Sequence, residues 1–180
     1  MWLKNIDQSW SLFLDRDGVI NQRNFEGYIT NINEFLFTPS FLNSIPILSN
    51  IFGNIIIVTN QQGIGKGIMS ELDLLEIHNF MLDEIKKVGG RVDDIFFAHN
   101  LKNAKNDRRK PLPIMGLEAQ MKNPKINFSK SIMIGDTNSD MFFGKNLGMK
   151  TILMKSTEQV TTNVDLEIEN FNELLKIFGR

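Results

Sequence analysis

Ser11-Leu12-Phe13-Leu14-Asp15-Arg16-Asp17-Gly18 sets the reading of the whole chain. Its first half is a short apolar run, the pattern of a buried strand. Its second half puts two carboxylates and a glycine where that strand ends. Continuous apolar runs suit a parallel sheet covered on both faces. Four more such runs follow, at 54–59, 94–98, 131–135 and 150–154, of which 54–59 is the richest in β-branched residues. Between them lie helical patterns. Ser70 caps one that runs to about Val88, with Leu74, Ile77, Met81, Ile85 and Val88 on one face, and Gly89-Gly90 ends it. Others are read at 114–121, at 139–147 before Gly148, and at 170–178. Strand and helix alternate, so the expected fold class is α/β, three layers with a central parallel sheet.

The chain has 180 residues, which fits one domain over 1–180. A formal net charge of -1 supplies no global field for nucleic acid or anionic membrane, so any ligand is recognised locally. The absence of cysteine excludes disulfides and thiolate metal sites. Residues 1–7 lack the apolar core of a signal peptide, and no apolar run reaches membrane-spanning length. A cytoplasmic, monomeric protein with no nucleic-acid or membrane partner is the expectation.

Ligands of an open parallel sheet bind beyond the carboxyl ends of its strands. The first run is followed by Asp15 and Asp17, the second closes on Thr59 and continues Asn60-Gln61-Gln62-Gly63, and the fourth ends Gly135-Asp136-Thr137-Asn138-Ser139-Asp140. Asp15 and Asp17 repel each other and need a cation; with Asp136 they make an oxygen-rich site for a hard metal such as magnesium. Taken alone, Asp17-Gly18 is an ordinary turn pair. The same reading fits poorly once three aspartates fall at strand ends. Thr59 alone reads as a strand-closing residue; beside those acids its hydroxyl is a phosphate donor, with Asn60 adding an amide. Lys110 belongs to a charged run, commonly a solvated face. Pro111 restrains it, and a restrained lysine near a metal site offsets phosphoryl charge.

Two stretches, 18–40 and 99–113, fit the alternation less well and read as loops walling a pocket. Gly63-Ile64-Gly65-Lys66-Gly67 fails both nucleotide-loop spacings and reads as a flexible loop near substrate. His78 reads as ordinary, His99 as a catalytic candidate, and Trp2 and Trp10 as packing groups.

Four motifs, in order and covering nearly the whole chain, resemble those of the haloacid dehalogenase superfamily, subfamily IIIA: Asp15-Arg16-Asp17-Gly18-Val19-Ile20-Asn21, Thr59-Asn60-Gln61, Arg109-Lys110-Pro111 and Gly135-Asp136-Thr137-Asn138-Ser139-Asp140. The run 59–67 is most similar to the heptose branch, the D-glycero-D-manno-heptose 1,7-bisphosphate phosphatases, whose relatives include histidinol phosphatases. The resemblance implies a Rossmann-like fold without a large cap domain and a magnesium-dependent phosphatase of sugar phosphates. It implies Asp15 as nucleophile, Asp17 as acid and base, and Thr59 and Lys110 as phosphoryl stabilisers. Asp15, the Asp17 carbonyl and Asp136 are implied to hold Mg2+, with Asp140 supporting them. Arg16, Asn60, Gln61, Arg109 and Thr137 are the implied substrate contacts. The implied reaction removes the C7 phosphate of a heptose bisphosphate, in lipopolysaccharide, capsule or other glycan synthesis; histidinol phosphate or another small phosphomonoester is the alternative. A DNA 3′-phosphatase type is disfavoured by the acidic balance, and an inactive phospholigand binder by the presence of Asp15 and Asp17.

The chain departs from the pattern in three places. Ala98, Asn106 and Arg108 stand where a zinc loop has cysteines, so no structural zinc is expected. Thr137 stands where the heptose enzymes commonly have a lysine, and Ile114 where glycine is usual.

Overall fold

The computed structural model describes residues 2–179. Six parallel strands, β1 (Ser11–Leu14), β2 (Asn54–Asn60), β3 (Asp94–Ala98), β4 (Ser131–Gly135), β5 (Lys150–Met154) and β6 (Leu166–Ile168), lie in the order β3-β2-β1-β4-β5-β6. The helices are α1 (Phe41–Ile51), the single turn α2 (Gln62–Gly65), α3 (Glu71–Lys87), α4 (Ile114–Lys122), α5 (Asn138–Asn146) and α6 (Phe171–Ile177).

Side chains of a strand alternate between faces, and the core divides accordingly. Leu12, Leu14, Ile55 and Ile57 pack with Ile45 and Leu48 of α1, Leu74, Ile77, Met81 and Ile85 of α3, and Phe171 and Leu174 of α6. Phe13, Ile56, Val58 and Met133 point the other way, onto Met115 and Ala119 of α4 and Phe143 of α5. These are the three layers expected. Trp2 and Trp10 stack with ring centroids 6.2 Å apart, as packing groups do. No described helix is long and apolar enough to cross a membrane.

Most of the expected element bounds are met within a residue or two. Ser70 caps α3 with a reciprocal bond to Asp73, and Gly89 follows its end at φ 82°. Residues 63–67 are a correction. They are not a flexible loop throughout: Gln62–Gly65 forms a helical turn. Its glycines serve close approach. A Cβ on Gly65 would stand 2.5 Å from the His99 carbonyl oxygen, and one on Gly63 3.2 Å from the Tyr28 ring.

The topology positions the site. From β1 the chain builds outward to β3, then returns to β4 on the other side of β1 and continues to β6. Strand order therefore reverses beside β1, and a crevice opens there at the carboxyl ends. Asp15 leaves β1 at that point and Asp136 leaves its neighbour β4.

Candidate active site

Asp15 extends the β1 ladder, its N–H donating to the Ile134 carbonyl at 3.0 Å. The chain then turns tightly: the Arg16 carbonyl accepts from the N–H groups of Ile20 and Asn21 at 2.8 and 3.0 Å. Gly18 makes the turn possible at φ 93°.

The loops at 18–40 and 99–113 form walls, as expected. A cavity of about 350 Å³ is lined by Arg23, Phe25 and Tyr28 from the first, Arg109 and Lys110 from the second, and Asp15, Asp17 and Asp140 at its base.

Lys110 is the hub of this base. It is buried; its Nζ donates to the Val58 carbonyl at 2.7 Å and forms ion pairs with Asp15 Oδ1 at 2.7 Å and Asp140 Oδ1 at 2.6 Å. Burial works against its charge, but Asp140 and Asp15 outweigh that and hold its pKa above the ordinary lysine value. Asp140 also accepts, through Oδ2, from the Thr137 N–H at 3.1 Å and the Thr137 hydroxyl at 2.6 Å, closing a capping box on α5. One aspartate thus fixes both the lysine and the start of the helix.

Asp136 is fully buried. Its Oδ2 accepts from Arg23 at 3.1 Å, and its Oδ1 has no partner among the described residues. Asp15, Asp136 and Asp140 bring carboxylate oxygens within 4.8 Å of one another. Three buried carboxylates face two cations, Lys110 and Arg23. Burial, resisted by Lys110 and reinforced by Asp140, pushes Asp15 up to about 8; burial and Asp140 push Asp136 up to about 6. The cluster lacks positive charge, and the orphaned Asp136 oxygen gives a cation a ligand. The residues fit a hard divalent ion.

Asp17 is arranged differently. Its Oδ1 accepts from Arg16 at 2.8 Å and Asn21 at 2.9 Å, and its Oδ2 from Gln61 at 2.9 Å. Burial raises its pKa, but the Arg16 charge and these bonds outweigh it, so the carboxyl sits below its ordinary range. Arg16 is itself only 1% exposed, against the Phe35 ring. It and Gln61 hold Asp17 in place.

Thr59 sits behind Gln61 and not on the cavity wall; its hydroxyl accepts from Gln61 Nε2 at 2.8 Å. Asn60 clamps Lys110, accepting from its N–H at 2.9 Å and donating to its carbonyl at 3.1 Å. Arg109 and Thr137 line the cavity, although the Thr137 hydroxyl is engaged by Asp140 and Ser139. His78 is buried against Phe97, and burial pushes it down to about 3, so it is an ordinary core histidine. His99 stands apart from the cavity with Nδ1 2.8 Å from Glu71 Oε1.

Several wall residues carry no pattern in the sequence, among them Arg23, Phe25, Tyr28 and Glu158. Arg23 had one signal, a cation five residues beyond Gly18 in a loop that must cross the carboxyl edge.

A central parallel sheet with this aspartate edge defines a hydrolase of the haloacid dehalogenase type. The comparisons agree. A family model described as HAD-hydrolase-like matches residues 107–172. The D-glycero-α-D-manno-heptose-1,7-bisphosphate 7-phosphatase of Mycobacterium bovis is 33% identical over 77% of this chain and 73% of its own. The D-glycero-β-D-manno-heptose-1,7-bisphosphate 7-phosphatase of Helicobacter pylori is 28% identical over 93% of this chain and 96% of its own. The crystal structure of a D,D-heptose 1,7-bisphosphate phosphatase from B. bronchiseptica, complexed with magnesium and phosphate, superposes with a TM-score of 0.82 at 23% identity, over 93% of this chain and 98% of that one. The chain belongs to this family of phosphatases within the haloacid dehalogenase hydrolases.

Proposed function

We propose that the protein removes the C7 phosphate of D-glycero-D-manno-heptose 1,7-bisphosphate through an aspartyl-phosphate on Asp15. The observation that carries this reading is the convergence of Asp15, Asp17, Lys110 and Asp140 on one cavity, with Asp136 buried against Asp15 and Asp140, in a chain similar over most of its length to the M. bovis enzyme. Two of the relatives act on opposite anomers, so the anomer is left open.

An Asp15 oxygen attacks phosphorus as the bond from phosphorus to the sugar oxygen breaks. Asp17 gives its proton to that leaving oxygen. Arrival of a dianionic phosphate raises the pKa of Asp17, countering Arg16, Asn21 and Gln61. Water then attacks the acyl phosphate, Asp17 takes the water's proton, and inorganic phosphate leaves Asp15. Lys110 keeps Asp15 oriented and balances the transferring charge, while Asn60 holds the lysine's backbone. Thr59 acts through Gln61, which fixes Asp17. Asp15, the Asp17 carbonyl and Asp136 would hold Mg2+, with Asp140 beside them, and a bound ion would supply positive charge to offset that of the phosphoryl group. The setting is cytoplasmic synthesis of a heptose precursor for a surface glycan, carried out by a monomer.

The test is phosphate release with magnesium from the heptose bisphosphate, heptose 7-phosphate and histidinol phosphate. The bisphosphate gives the highest kcat/KM, and Asp15→Asn lowers kcat by about 10⁴-fold or more. Preference for histidinol phosphate would refute the substrate assignment; full activity of Asp15→Asn would refute the mechanism.

A further inference from the structure

Two cations stand against the buried carboxylates, and their surroundings differ. Lys110 is buried and held on three sides, by the Val58 carbonyl, Asp15 and Asp140. Arg23 comes from the loop after Gly18, and its side chain is 32% exposed. One of its nitrogens donates to Asp136 Oδ2 at 3.1 Å, and the same nitrogen lies 3.8 Å from Glu158 Oε1. Arg23 therefore has a second carboxylate within reach.

That second carboxylate is anchored. The Glu158 N–H donates to the Ser156 hydroxyl at 3.1 Å. The residues just beyond it are fastened to α5: the Asn138 amide donates to the Gln159 carbonyl at 3.2 Å, and Asn138 Oδ1 accepts from the Thr161 N–H at 3.0 Å. Glu158 and Arg23 both line the cavity.

Asp136 Oδ2, the oxygen that Arg23 holds, lies against Gly18, where a Cβ would stand 2.2 Å from it. Gly18 is joined to the Asp17 carbonyl. The contact is therefore on the side of the cluster where Asp15, that carbonyl and Asp136 would hold a divalent ion. Such an ion brings two positive charges to a carboxylate that already faces a guanidinium, and like charges at this range repel. Glu158 offers the guanidinium another partner.

We propose that Arg23 competes with the divalent ion for Asp136, that Glu158 receives the displaced guanidinium, and that this exchange sets the ion concentration at which the site fills. The proposal rests on the ion site of the phosphatase reading above and makes Arg23 a positioning residue that acts through Asp136.

Calorimetric titration of the whole chain with MgCl2, without substrate, tests it. Arg23→Gln binds Mg2+ about 10-fold or more tightly than the wild type, because the competing charge is gone. Arg23→Lys keeps that charge and stays within about 3-fold of the wild type. Glu158→Gln weakens Mg2+ binding about 5-fold or more. The same change added to Arg23→Gln alters it by less than about 2-fold, since no guanidinium is left to receive. In EDTA, Arg23→Gln melts below the wild type, and saturating magnesium raises its Tm by more than it raises that of the wild type. Equal or weaker Mg2+ binding by Arg23→Gln would show that Arg23 orients Asp136 for the ion and would overturn the proposal. Equal losses from Glu158→Gln in both backgrounds would overturn the exchange, and so would a wild type that binds no Mg2+. With the titrations as expected, a failure to release phosphate from heptose bisphosphate refutes the substrate assignment and leaves the exchange supported.

Discussion

Gly18 has two reasons to be glycine, and they reinforce each other. Its φ of 93° is strained for any side chain, and a Cβ there would stand 2.2 Å from Asp136 Oδ2. Gly18→Ala is expected to cost about 1–3 kcal/mol of stability, read by urea unfolding. It also lowers kcat/KM by about 100-fold, since displacement of Asp136 by around 1 Å disturbs the reacting geometry. A variant with wild-type turnover would show that Asp136 is not needed where it stands. At this scale the residues legible from sequence are those that leave a strand: Asp15 after β1, Asp136 after β4, and Thr59 and Asn60 at the end of β2. Their places follow from the strand itself. Arg23 was hidden because its place depends on how a loop crosses the sheet edge, and no periodicity encodes that.

At the scale of elements, β2 and the loop before α4 are joined through Asn60, which the sequence presents as a substrate contact. The structure shows a clamp on both backbone groups of Lys110. Asn60→Ala is therefore expected to lower kcat about 10- to 100-fold on p-nitrophenyl phosphate as well as on the sugar bisphosphate, by loosening Lys110. A defect seen only with the sugar would return Asn60 to substrate binding. The apolar runs of β1, β2, β4 and β5 were readable because both faces of each are covered, and that of β3, half-buried at the sheet edge, by its short apolar run alone. The helix α1 was not, for two reasons. Pro46, a helix breaker in most sequences, lies inside it, and Ser44 and Ser49 sit on its buried face, where Ser49 donates to the Ile45 carbonyl and accepts from Arg91 N–H. Strand β6 is three residues long with an exposed Glu167 at its centre, too little for a pattern.

Across the whole molecule, a net charge of -1 conceals a sharp local imbalance around Lys110. Asp15 at about 8 and Asp136 at about 6 both stand above the ordinary 3.8 of an unfolded chain. Between those values the folded protein binds more protons than the unfolded one. Their contribution to stability is therefore complete below about 3.8 and is lost as pH rises through about 6 and then 8. His78 acts oppositely: at about 3 against an ordinary 6.5, it favours unfolding as pH falls below 6.5. The range from pH 7 to 9 isolates Asp15. Metal-free protein is expected to lose several degrees of Tm across it, and saturating magnesium to restore them by supplying the missing charge. Magnesium binding at pH 7 then releases protons, measurable by calorimetry in buffers of different ionisation enthalpy. A Tm flat from pH 7 to 9, with no proton release, would contradict this account.

The stretch at 99–113 stays ordered without a single thiol. Asp107 accepts from the N–H groups of Asn103 and Arg109 at 3.1 and 2.9 Å, Arg108 pairs with Glu118, and Asn60 grips the far end. Ordinary polar contacts thus present Arg109 and Lys110 to the cavity. Thiol-directed oxidants and alkylating reagents have no target in this stretch, and it offers no thiolate to zinc. The molecule's fit for a divalent ion lies instead in the carboxylate cluster at the foot of this wall, and that is where a chelator is expected to act.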